Sequence, residues 1–84
     1  MKIRLEGGEE GEATSFDGGT LTLLSPRAFA PGAPIQFSSL GEPERSFEGR
    51  TLGSKRMDDG RFEVRLRFVN LRRSDRELLT REFA

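Results

Sequence analysis

Eighty-four residues carry 14 Lys and Arg against 14 Asp and Glu, for a formal net charge of zero, and about a third of the chain is apolar. That length gives a single domain, residues 1–84, near the lower end of what folds alone, and the apolar share, with seven Phe, excludes a disordered tail. Cys, His, Tyr and Trp are all absent, which excludes disulfides, thiolate metal sites and thiol nucleophiles and removes the usual base near neutral pH, so no enzyme, catalytic residue or metal site is expected.

In chain order, residues 1–5 alternate, with Ile3 and Leu5 on one side and Lys2 and Arg4 on the other. This predicts a strand that enters a hairpin at Gly7-Gly8. The return stretch, residues 9–15, offers only Ala13 for burial among three Glu, and it reads as an edge strand or irregular arm. Residues 20–25 form a better strand, with Leu21 and Leu23 opposed to Thr20 and Thr22. The segment PRAFAPGAP holds three prolines and a glycine and reads as a crossing loop, because proline cannot donate to a sheet ladder.

Residues 34–39 place Ile35 and Phe37 on one face, and residues 46–56 resume with Phe47, Thr51 and Leu52. Gly49 and Gly53 in that strand suggest a bulge or a close backbone approach. MDDG, with its Asp-Gly pair, marks a hairpin turn, which accounts for the adjacent carboxylates Asp58 and Asp59 without acid/base chemistry. The clearest strand follows: Phe62, Val64, Leu66 and Phe68 alternate with Arg61, Glu63, Arg65 and Arg67. Beyond Leu71, Ser74-Asp75-Arg76-Glu77 has capping-box spacing, and Leu78, Leu79 and Phe83 share one helical stripe. The sum is a mainly β fold, a small antiparallel barrel of six strands with one C-terminal helix.

Charge is unevenly placed. Residues 1–19 hold two cations against five anions, whereas residues 45–84 hold eleven cations against seven anions, nearly all the cations being Arg. Arg61, Arg65 and Arg67, joined by Arg72 and Arg73, are therefore candidates for an anion-facing or partner-facing surface, against the plainer reading of a solvated face opposed by Glu48 and Glu63. No stretch approaches the roughly 18 apolar residues of a membrane span, and residues 1–10 lack a signal-peptide core, so a cytoplasmic address is expected.

Three segments resemble the PilZ domain family, the six-stranded barrel with a C-terminal helix that bacteria use to sense cyclic di-GMP. ATSFDGGTLTL is similar to the family's Asp/Asn-x-Ser-x-x-Gly loop and following strand, FAPGAPIQF to the Gly-hydrophobic lead-in of the next strand, and FEVRLRFVNLRRSDRELL to the last strand and helix. By the resemblance, Ser15, Gly18 and Gly19 stand at nucleotide-binding positions. Two departures bear on ligand binding: Ala13 occupies the acidic or amide position, and Arg4 has Gly8 four residues on, so the Arg-x-x-x-Arg pair is missing. Hydrogen bonds to charged groups contribute about 1.5–3 kcal/mol each, so losing both arginines costs roughly 3–6 kcal/mol, about a hundredfold to ten-thousandfold in affinity.

The resemblance thus implies a stand-alone PilZ-like regulatory adaptor in bacterial signalling (motility, pili or surface behaviour), working through a protein partner with weak or no cyclic di-GMP binding. No cofactor is expected, and cyclic di-GMP is the disfavoured ligand. The runner-up is a cyclic di-GMP receptor that uses other arginines, such as Arg72 and Arg73. A third reading, a basic barrel that binds single-stranded nucleic acid, is disfavoured because every aromatic is a Phe and most lie on the core face. For the 15–19 segment two roles stay open, a binding-loop remnant or a plain turn. Phe16 is either a plug in the barrel end or an exposed partner contact.

Overall fold

The computed structural model describes residues 1–41 and 44–83. Its elements are β1 (Lys2–Leu5), β2 (Glu10–Asp17), β3 (Thr20–Ser25), β4 (Pro34–Ser39), β5 (Ser46–Arg56), β6 (Phe62–Phe68) and α1 (Arg73–Glu82). Six antiparallel strands close into a barrel in the order β1-β2-β3-β6-β5-β4, the seam being made where Ile3, Arg4 and Leu5 pair with Ser39, Ser38 and Phe37.

Alternation decides what goes inside. Ile3, Leu5, Ala13, Leu21, Leu23, Ile35, Phe37, Phe47, Val64 and Leu66 all point into the barrel and are buried, as a period-two pattern requires of a sheet with one wet face. The registers align these residues in layers, Leu21 with Leu66 and Leu66 with Thr51, Leu23 with Val64, and Phe37 with Phe47.

The proline-rich loop closes one end. Thr51 donates through Oγ1 to the carbonyls of Ala30 at 2.5 Å and Ala33 at 3.1 Å, and the Ser54 hydroxyl both donates to the Phe29 carbonyl at 2.7 Å and accepts the Phe29 N–H at 2.8 Å. These bonds supply the loop's backbone with the partners that no ladder gives it. Phe29 is buried as a result, under the Arg27 guanidinium 4.4 Å from its ring centroid. At the other end Phe37, Phe47 and Phe68 form a ring cluster with centroids 5.3–6.2 Å apart. The fully buried Leu79 of α1 joins the same core, with Leu71 and Phe83 packed against it.

Two expectations are corrected. Residues 9–15 are not an edge or an irregular arm: β2 runs for 8 residues between β1 and β3, and the closed barrel leaves it no free side. The capping box does not form either. The helix starts one residue earlier than Ser74, with Arg72 at the N-cap and no side-chain cap hydrogen bond. The carboxylate meant for that motif, Glu77, is engaged with Arg73 at 3.5 Å, and the neighbouring Asp75 holds Arg45 at 2.6 Å. Among the described residues, no helix is long and apolar enough to cross a membrane.

Candidate functional site

The β2–β3 hairpin carries Ser15, Gly18 and Gly19. Its loop is only two residues long: Asp17 pairs with Thr20, and Gly18 and Gly19 take φ of 59° and 89°. Consecutive positive φ is the geometry of a tight hairpin turn whose twist matches that of the flanking strands, and glycine adopts it without a Cβ penalty. Just before the turn, β2 bulges at Thr14, so that Ala13 pairs with Leu23 and Ser15 with Thr22. The bulge sends Ala13 inward, where it is 1% exposed, and Ser15 outward. The position at which the PilZ motif has a carboxylate or amide is therefore a core position here.

Phe16 also turns inward. Its ring meets Phe68 edge to face at 5.9 Å and packs against the core, a pairing that favours a quadrupole-matched contact over an exposed one.

The candidate arginines do not form one surface. Arg61 lies ahead of β6, in the β5–β6 turn, where its guanidinium bonds Asp59 at 2.8 Å and its backbone N–H donates to the same carboxylate at 2.9 Å. That backbone hydrogen bond first, and then the guanidinium, hold the Asp59 carboxyl below the usual carboxylate range. Arg73 is engaged with Glu77 on the exposed side of the helix, and Arg72 stands beside the groove described below. Arg65 and Arg67 do lie together on the outer face of β6.

A third arginine joins them. The β5–β6 register places Arg50 directly opposite Arg67, Leu52 points outward on the same parity, 43% exposed, and a bulge between Thr51 and Gly53 sets Gly53 opposite Arg65. Arg50 and Leu52 carried a signal in the sequence, since with Glu48 they share one parity of the strand. What the sequence did not show was the register that brings that parity next to Arg65 and Arg67.

A groove of about 810 Å³ lies where β1, β4 and β5 meet the chain leaving β6, which turns at Asn70 with φ of 55°. Arg4, Arg45 and Arg72 line it, but so do Glu6, Glu48 and Asp75. Equal numbers of opposite charges give it no preference of sign. The buried Nε of Arg45 has no hydrogen-bond partner among the described residues, although its Nη1 holds Asp75. Among the described residues no group of acidic side chains is placed to hold a metal ion.

Comparison of the chain with protein-family models, curated proteins and solved structures found no match in any of the three.

Proposed function

We propose that this barrel is a PilZ-like regulatory adaptor in bacterial signalling that acts through contacts with a protein partner, without catalysis and with weak or no cyclic di-GMP binding. The observation that carries the reading is the cluster of Arg50, Arg65 and Arg67 on one outer face beside an exposed Leu52. A surface that combines guanidinium forks with an apolar side chain suits a protein better than it suits a nucleotide. The inward Ala13 supports the same reading, because it withdraws a polar contact from the hairpin that nucleotide-binding relatives of the proposed family use.

A receptor that uses non-standard arginines draws support from one feature. Ser15, Thr22 and Arg65 lie in a single cross-strand row, which sets Ser15 and Arg65 about 10 Å apart across two strand spacings. Calorimetric titration with cyclic di-GMP near neutral pH and moderate salt separates the two readings. The adaptor reading expects no saturable heat, and a Kd at or below about 10 micromolar would overturn it.

A further inference from the structure

We infer that the outer face of β5 and β6 docks an extended acidic segment of a partner protein, with Arg50, Arg65 and Arg67 receiving its carboxylates and Leu52 receiving one apolar residue. This rests on the adaptor reading and names the chemistry of its partner.

The first argument is electrostatic. Arg50 and Arg67 are direct cross-strand partners, and like charges so placed destabilise a sheet. Neither strand beside β6 relieves them: Arg67 is flanked by Thr20 and Arg50, and Arg65 by Thr22 and Gly53. Among the described residues none of the three takes part in an ion pair within 4.0 Å. Arg50 makes one hydrogen bond, from Nη1 to the Gly32 carbonyl at 3.2 Å, which leaves most of its donor fork unused. The acids in this face meet other partners: Glu63 lies opposite Lys55 and Leu24 across the strands, and Glu48, on the same parity as Arg50, accepts from Gln36 Nε2 at 3.3 Å. Three guanidinium groups held together with no ion pair to a carboxylate among the described residues break a local rule of sheet design, and such breaks concentrate at functional surfaces.

The second argument is steric. Gly53 has no positive φ, and a Cβ built on it meets nothing within 4 Å. Neither conformation nor crowding calls for glycine there. Its effect is a stretch of bare strand beside Arg65 and next to Leu52, open to a partner's main chain.

Nucleic acid fits this face less well. All seven Phe are buried or packed against the core, so no ring is presented for base stacking, and a phosphodiester has no use for Leu52. A second copy would have to offer the acidic β2 row of Glu10, Glu12 and Asp17, which alternates with Thr14 and Ser15 and brings no apolar residue for Leu52.

Fluorescence anisotropy with a fluorescein-labelled peptide, glutamates flanking a single central leucine, tests the proposal on the intact chain. Binding is expected to weaken about tenfold for each of Arg65→Ala and Arg67→Ala, and by a similar factor for Leu52→Ser. Gly53→Val should also weaken it while leaving the thermal midpoint in place, and Arg61→Ala, on a residue already engaged by Asp59, should leave it unchanged. The proposal is overturned if the peptide fails to bind at about 1 millimolar, or if it binds equally to the Arg65 and Arg67 variants. Tighter, steeply salt-dependent binding of a single-stranded oligonucleotide would give the face to nucleic acid instead. Self-association in sedimentation that Arg65→Ala abolishes would give it to a second copy. Failure of the adaptor reading itself shows separately, as saturable cyclic di-GMP binding in the titration above.

Discussion

Gly49 and Gly53 lie in the same strand, yet alanine at the two positions should behave in opposite ways. A Cβ on Gly49 would sit 2.6 Å from the Arg67 carbonyl oxygen and 2.8 Å from Leu66 Cδ1, both inside the 3.0 Å that real Cβ contacts essentially never breach. Neither neighbour yields easily. The Arg67 oxygen belongs to the backbone of β6, and Leu66 is fully buried between layers. β5 must therefore move away from β6 by a few tenths of an ångström, an overpacking that costs about 1–3 kcal/mol. A domain of this size is stable by roughly 4–13 kcal/mol, and each kcal/mol shifts its melting midpoint by about 4–8 °C. Gly49→Ala should lower the midpoint by about 8–16 °C at the centre of that range. Gly53→Ala meets open space, and should stay within about 0.5 kcal/mol of the parent or gain slightly from a stiffer unfolded chain. Urea and thermal unfolding followed by circular dichroism measure both. Equal midpoints for the two variants, or a larger loss at Gly53, would refute the β5–β6 register and with it the arginine face.

Leu66→Ala should cost about 2–5 kcal/mol in urea unfolding, since the side chain is fully buried, whereas Arg65→Ala on the same strand should change stability by less than about 0.5 kcal/mol. Ala13→Asp, which introduces the acid that the PilZ resemblance would place there, should destabilise by about 3 kcal/mol because the carboxylate would enter the core without a partner; a stable variant that gains cyclic di-GMP affinity in calorimetry would contradict the inward bulge. NMR titration should place the Asp59 pKa below the ordinary value of about 3.9. A lowered folded-state pKa means stability that is complete above the unfolded value and lost as pH falls through the folded one. Arg61→Ala should raise it only in part, because the larger cause is the backbone N–H of residue 61, which the substitution keeps.

The barrel was legible because four of its strands, β1, β3, β4 and β6, alternate strictly, and one slip in any of them would expose large apolar side chains. β2 was misjudged for a physical reason. A strand paired on both sides draws its hydrogen bonds from its neighbours and needs little apolar surface of its own, so Glu10 and Glu12 could point to water while Ala13 and Phe16 pointed in. The capping box misled because a motif of spacing says nothing of competing partners, and Arg73 took the Glu77 carboxylate. The site was less legible than the fold. Arg65 and Arg67 were visible as one parity of β6, but Arg50 and Leu52 reach them only through a register and a bulge that pairing fixes. Arg61 fell on the right parity and the wrong side of the turn.

β1 is the shortest stave, four residues held by three register pairs to β2 and three to β4. Its partner β2 follows at once through a hairpin, but Ile3 must wait for Ser39, and the β3–β6 pairing of Thr20 with Arg67 spans still more chain. Loop-closure entropy must be met before such distant contacts repay it, which makes folding of this kind slow for the chain's length. The first of the six strands in chain order is thus among the last to be completed, and until β4 arrives, β1 and β2 stand as a hairpin with one bare edge.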